Sequence, residues 1–187
     1  MRTILITYLM VLAVAAFGQT YTVTPTGMVD SADPTKAYLV IEVEGRTAKQ
    51  LYGKAVQFLN ETCRSAKDAI KGQTEGEYLK FETFAPDFIT YKNSGASVPI
   101  QASFTTELRF KDGKVRYEII SLEMYGMGGG RKYPLLFSGG LLEGYIVFRK
   151  NGKLFKEATK ADLESYFNGR VAALAQYLKN GGAKNDW

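Results

Sequence analysis

The chain has 187 residues, of which 45% are hydrophobic and 23% are charged, so its composition is that of a globular protein rather than a disordered one. It contains no histidine and one cysteine, and its formal charge is +5. These counts exclude the usual Ser-His-Asp and Cys-His catalytic arrangements, histidine-based zinc sites and an internal disulfide. The mild positive charge fits either ordinary solubility or attraction to an anionic surface.

The first 18 residues have the layout of a secretory signal. Met1-Arg2 gives a short positive start, and residues 4–16 are apolar apart from Thr7. Ala16 and Gly18 then place small residues before a cut at Gln19. The apolar run is shorter than the roughly 20 residues of a membrane span. We therefore predict a signal peptide over residues 1–18 and an exported protein, periplasmic or at the cell surface, without a transmembrane span after signal removal. The alternative is an uncleaved N-terminal anchor.

Residues 36–187 are predicted to form one domain, preceded by a flexible N-terminal arm or loose first strand over residues 19–35. The first core strand is expected over residues 37–44. Thr47 and Gln50 match a capping box, which predicts a helix from Ala48 to about Ala66. The apolar positions of this segment keep helical spacing, so the helix should lie on an apolar surface with Cys63 within it.

The clearest pattern in the chain is strict alternation of apolar and polar residues over 100–110, which predicts a strand with one wet face. Asp112-Gly113 predicts a hairpin turn into a return strand over 114–124, with a bulge near Ile119-Ile120. A two-residue turn would set Arg109 opposite Arg116 and Glu107 opposite Glu118. A further strand is predicted over residues 78–84.

The C-terminal third is predicted to contain a glycine-rich loop, a second hairpin and a helix. Gly126 to Gly130 forms the loop, and Asn151-Gly152 is the second hairpin turn. Thr159 with Asp162 should open the last helix, which should end at Gly181-Gly182. The order of elements predicts an α+β fold, an antiparallel sheet with two helices packed on one face.

Three segments resemble a known family: the strand YLVIEVEGRT, the helix KQLYGKAVQFLNETCRSAKDAI and the hairpin VPIQASFTTELRFKDGKVRYEIISLEM. Together they are similar to the domain of unknown function 4468 family of exported Bacteroidetes-type proteins, over roughly residues 37–125. The resemblance implies a TBP-like fold. It implies no activity and supplies no functional residues, and residues 126–156 do not align with the family pattern.

The glycine-rich loop is the best candidate for a ligand or partner contact, through Tyr125, Arg131 and Tyr133. Functional residues favour loops held on a rigid scaffold. The stretch lacks the spacing of a phosphate-binding loop. We predict no catalytic residue, no cofactor and no metal site, and we expect Cys63 to be buried packing.

Three functional hypotheses remain open. The first is a non-catalytic binding or interaction module of the cell envelope, with a protein, glycan or lipid partner. The second is a carboxylate-dependent glycan hydrolase using Glu42, Glu44, Glu75 and Glu77. The third is binding to anionic lipid or glycan through the basic stretch of Arg149, Lys150, Lys153, Lys156 and Lys160. Nucleic acid is not expected as a partner, because the wet face of the central hairpin lacks stacking aromatics.

Overall fold

The computed structural model describes residues 19–93 and 95–181, so the predicted signal peptide lies outside the described residues. The described elements are, in chain order, β1 (Tyr21–Thr24), β2 (Gly27–Asp30), β3 (Tyr38–Glu42), α1 (Ala48–Thr62), α2 (Ala66–Ala69), β4 (Ile70–Thr74), β5 (Tyr78–Asn93), β6 (Ala96–Lys111), β7 (Lys114–Gly128), β8 (Arg131–Gly139), β9 (Tyr145–Arg149) and α3 (Glu157–Asn180). Strands β4 to β9 form one sheet in that order, with β3 also paired to β7.

Helix α1 begins at the predicted capping box. The Thr47 hydroxyl accepts a hydrogen bond from the Gln50 N–H, and the Gln50 side chain accepts one from the Thr47 N–H. The helix ends at Thr62 rather than near Ala66. The Ser65 hydroxyl accepts from the Asp68 N–H and starts α2, which requires extended backbone ahead of it. Cys63 is therefore the residue that ends α1 and does not lie within the helix.

The alternation predicted for the central strand is confirmed, since every even-numbered residue of β6 from Ile100 to Phe110 is buried. The predicted bulge is also present in β7. Thr105 pairs with Ser121 and Thr106 with Ile119, which leaves Ile120 as the extra residue. Because of this extra residue, the side chain of Met124 after the bulge faces the same core as those of Val115 and Tyr117 before it.

The β6–β7 turn has two residues, because Lys111 pairs directly with Lys114. Arg109 consequently lies opposite Arg116, and Glu107 lies opposite Glu118, as the sequence predicts. Each arginine binds the glutamate two positions away on its own strand, at 2.7 Å for Arg109–Glu107 and 2.6 Å for Arg116–Glu118. These pairs within each strand offset the like charges that face each other across the hairpin.

Residues after β6 differ from the prediction in three ways. The glycine-rich loop is largely strand: β7 continues to Gly128, and only Gly129-Gly130 turns, with positive φ at both residues. Strands β8 and β9 are parallel, so the sheet is not wholly antiparallel. The second predicted hairpin has a single strand bridge, between Phe148 and Leu154, and α3 begins at Glu157, ahead of the predicted start at Thr159 and Asp162.

Helices α1 and α3 cover the same face of the sheet. Tyr52 of α1 packs edge-on against Phe110, and Phe167 of α3 packs against Phe104. Phe104 and Phe110 share a face because their separation along β6 is even. The predicted α+β class is thus confirmed as a mixed fold with a large sheet and a few helices. No helix within residues 19–93 and 95–181 is long and apolar enough to cross a membrane.

The segment predicted as a flexible arm or a loose first strand forms the β1–β2 hairpin, docked on α3. Tyr21 and Val23 are each only 2% exposed. The Tyr21 N–H donates to the Asn168 side chain at 2.7 Å, and the Val23 N–H donates to Glu164 Oε1 at 2.8 Å. The apolar alternation here spans only four residues, too few to stand out beside the neighbouring prolines.

Glu164 is a testable anchor of this hairpin, and Glu164→Ala is expected to lower the free energy of unfolding by about 1–3 kcal/mol. The carboxylate accepts hydrogen bonds from the Val23 N–H and the Thr22 hydroxyl and also pairs with Lys160. Denaturant unfolding at neutral pH measures the change. Asp162→Ala, an exposed position of the same helix, is the control and should change stability by less than about 0.5 kcal/mol.

The same contacts predict how this contribution depends on pH. Burial alone would raise the pKa of Glu164, but the hydrogen bonds from Lys160, Val23 and Thr22 outweigh it and lower the pKa below 4.5. A group with a lowered pKa in the folded state stabilises the fold above its unfolded pKa, and this contribution is lost as pH falls through the folded value. Stability of the native chain should therefore fall more steeply below about pH 4.5 than that of Glu164→Ala. Parallel slopes would contradict the assignment.

Candidate functional site

The structure separates the three residues predicted as a ligand or partner contact. Tyr133 pairs with Gly126, so the neighbouring Tyr125 points to the opposite face of the sheet. Tyr125 is 8% exposed, and the Lys132 ammonium lies 4.0 Å from its ring centroid. Arg131 is exposed and on the same face as Tyr133. The three side chains therefore do not converge on one ligand.

Tyr133 does line a cavity, a cleft of about 560 Å³ between β8, β9 and the end of β5. Its other aromatic walls are Tyr91, Tyr145 and Phe155. Several polar groups beside it have partners: the Tyr91 hydroxyl donates to the Ile146 carbonyl, Lys156 donates to the Lys92 carbonyl, and the charged lining residue Glu143 pairs with Lys150. This cleft offers aromatic surface but no unpaired charge.

A second cavity, of about 610 Å³, lies between the two long helices and the edge of β5, and we call it the α1–α3 pocket. Its rim is formed by exposed residues from all three sides, Thr62, Arg64, Ser65, Glu82, Phe84 and Ala173. Its interior contains the buried Phe81, Ala85, Tyr117 and Leu174, together with the half-buried Phe58, Cys63, Thr83, Tyr166 and Arg170. Cavities of about 300–1,000 Å³ with mostly apolar walls and a few polar groups are typical ligand sites.

Local folding explains why the pocket exists. Strand β4 pairs with β5 only as far as Phe81, so the next residues of β5 have no neighbouring strand on that side. On the other side, α1 ends at Cys63 and the chain continues through Ser65 into the short helix α2. The gap between these elements is the α1–α3 pocket.

The polar groups in this region form a cluster of four residues, Thr83, Thr106, Tyr117 and Arg170. One Arg170 nitrogen lies 3.5 Å from the Thr83 hydroxyl, at the limit of a hydrogen bond. The Arg170 Nε and the Thr106 hydroxyl are both buried without a hydrogen-bond partner. The cluster is therefore incompletely satisfied, which is costly in a low-dielectric interior.

Arg170 also lacks a counter-ion among the described residues, with no carboxylate oxygen within 4.0 Å. Its guanidinium carbon lies 5.2 Å from the Phe104 ring centroid and 6.0 Å from that of Tyr166. These aromatic faces offset part of the desolvation penalty. The nearest acidic side chain of the rim, Glu82, pairs with Lys71 at 3.4 Å. The pocket thus has a net positive interior.

Tyr117 supplies a second donor. Burial raises the pKa of its phenol, and the nearby Arg170 and Thr106 only partly oppose that rise. The hydroxyl is therefore protonated at neutral pH and can donate a hydrogen bond. The cluster consists of donors without a general base, so it is suited to holding an anion rather than to proton transfer.

The carboxylates considered for hydrolysis do not form a site. Glu42, Glu44, Glu75 and Glu77 are all exposed, and none lines the two cavities described above. Glu75 forms an ion pair with Lys49 at 3.1 Å. Burial is the usual means of raising the pKa of a catalytic acid, and these positions lack it.

The basic stretch is also partly neutralised. Lys150 pairs with Glu143, and Lys160 pairs with Glu164. Lys156 turns toward the Tyr91 ring, with its ammonium 5.2 Å from the centroid. Arg149 stacks over Phe155 at 4.8 Å, which leaves Lys153 as the exposed cation without such a contact in the described structure.

The candidate residues predicted from the sequence do not include Arg170, although a cation at this position of the last helix is unusual. Arg170 lies four residues after Tyr166 and four before Leu174, so the three residues share one face of the last helix. A cation within an apolar stripe is unusual and marks a place where charge enters the core. Nothing in the sequence shows which strand residues it meets.

Comparison with known proteins gives one informative match to a solved structure. The crystal structure of a DUF4468 family protein from Bacteroides ovatus superposes with a TM-score of 0.51, covering 80% of this chain and 87% of the other. The chain has a DUF4468-like fold. This confirms the resemblance at the level of fold, since the identity is 13%. No family model matches the DUF4468-like chain, and no curated protein matches it. The TBP-like label stays a prediction.

Proposed function

We propose that this DUF4468-like protein is a non-catalytic binding module of the cell envelope that holds a small ligand in the α1–α3 pocket. The observation that carries the proposal is the pocket itself, about 610 Å³ in volume, with apolar walls around the unpaired Nε of Arg170. An envelope location is supported by the signal-like layout of residues 1–18.

A binding role rather than an enzymatic one is supported by the chemistry of the lining. The pocket brings together an arginine, threonines and tyrosines, and the sequence has no histidine. Cys63 reaches the pocket, but no base lies among the interior residues to activate its thiol. The interior can therefore position a ligand but has no nucleophile–base pair.

Closing the mouth of the pocket tests this proposal. Ala173 is exposed on the rim, whereas its neighbour Ala172 is exposed but does not line the pocket. We expect Ala173→Trp to weaken binding of the apolar fluorescent probe 1-anilinonaphthalene-8-sulfonate by about tenfold or more, because indole would occupy the entrance. Ala172→Trp is the matched control and should bind as the native chain does. Absence of probe binding, or equal binding to both variants, contradicts the proposal.

A further inference from the structure

We propose that the ligand of the α1–α3 pocket is an amphipathic monocarboxylate, whose carboxylate is bound by Arg170 and whose apolar part lies between α1 and the edge of β5. This inference rests on the proposed function and specifies the chemistry of the same site.

The first argument is charge. The guanidinium of Arg170 has five N–H donors, and its contacts include one long hydrogen bond to Thr83, the nearby Tyr117 hydroxyl and two aromatic faces, but no carboxylate among the described residues. By contrast, Arg109 and Arg116 each bind a glutamate at 2.7 Å or less. A half-buried arginine with a buried, unpaired Nε and no carboxylate beside it is stabilised when a ligand supplies one.

The second argument is geometry. A carboxylate accepts two parallel hydrogen bonds from a guanidinium, and its remaining lone pairs need further donors. The Tyr117 and Thr83 hydroxyls line the same pocket as Arg170 and can provide them. These hydroxyls project from β7 and β5, so two strands and one helix would hold the anionic group.

The third argument is the apolar lining. A bare inorganic anion would leave the half-buried ring of Phe58 and the exposed ring of Phe84 in contact with water. A ligand with an alkyl or aromatic body covers that surface and gains about 25 cal/mol for each Å² removed from water. The pocket therefore matches a molecule with one anionic end and one apolar body.

Binding of decanoate, decanol and decyltrimethylammonium by isothermal titration calorimetry tests the charge preference. The three probes share an alkyl chain and differ in the charge of the head group. Decanoate is expected to bind the native protein about tenfold or more tightly than decanol, and the cation is expected to bind weakest. Equal affinities for decanoate and decanol would overturn the inference while leaving the pocket as a binding site. If none of the three probes binds, and if Ala172→Trp and Ala173→Trp bind the fluorescent probe equally, the proposed function itself is contradicted.

Arg170→Met tests the residue assignment with two readouts. The preference for decanoate over decanol should disappear, whereas Arg131→Met, an exposed arginine outside the pocket, should retain it. Without ligand, Arg170→Met should also unfold at a higher temperature than the native chain, because an unpaired charge leaves the interior. A lower unfolding temperature, or a retained preference for decanoate, would show that Arg170 serves the fold rather than the ligand.

Discussion

Phe104→Ala is expected to lower the free energy of unfolding by about 3–5 kcal/mol, a large part of the total stability of a domain of this size. Phe104 is 1% exposed at the centre of β6. Its ring lies 5.3 Å from that of Phe167 and 6.2 Å from that of Tyr166, both on α3. Removing the ring leaves a cavity between sheet and helix and removes one of the two faces against which Arg170 packs.

Denaturant unfolding followed by circular dichroism measures this effect. Phe84→Ala is the matched control, because Phe84 lies on the adjacent strand β5 and is 56% exposed. Its loss should change stability by less than about 0.5 kcal/mol. Comparable losses for the two variants would mean that α3 does not pack on β6 in the way described.

Gly144→Ala is expected to be nearly as damaging, at about 2–6 kcal/mol, the sum of a strain effect and a packing effect. Gly144 has φ of 151°, a conformation that residues with a side chain rarely adopt, and this strain is worth about 1–3 kcal/mol. A Cβ at this position would also lie 2.4 Å from the Pro134 carbonyl oxygen, so the backbone of β8 would have to shift. Overpacking of this kind adds about 1–3 kcal/mol.

Comparing the thermal unfolding of Gly144→Ala with that of Gly53→Ala separates the effect of the position from that of adding a methyl group. Gly53 is an exposed residue of α1, and a methyl group added there would have no heavy atom within 4 Å apart from its own helix and chain neighbours. Alanine at this position should raise stability by up to about 1 kcal/mol, because it favours the helix. If Gly144→Ala is as stable as the native protein, the close approach of Gly144 to β8 is not present in solution.

Periodic segments of the sequence predict the centre of the fold well. The alternation over β6, the Asp112-Gly113 turn and the bulge at Ile120 follow from spacing and turn chemistry, which act between near neighbours. The capping box at Thr47 is equally local, because it depends on contacts between residues three positions apart.

The remaining features depend on partners that are distant in the sequence. No residue pattern between β8 and β9 predicts that these strands pair in parallel. Similarly, the residues around Tyr21 are polar, and its burial depends on packing against α3. The pocket is a gap between elements, so no residue pattern encodes its volume. Tyr125 and Tyr133 are close in sequence, which favours a shared contact, yet the pleating of the sheet places them on opposite faces.

The docking of the first hairpin on the last helix has a consequence for the order of events during synthesis. Tyr21 and Asn168, which bind each other, are separated by 147 positions. Strands β1 and β2 therefore leave the ribosome long before α3, and until that helix is complete their apolar side chains lack the part of their packing surface that α3 supplies. A chain arrested before Asn168 should expose Tyr21 and Val23 to chaperones and proteases, so the last stretch of translation decides whether the first one is protected.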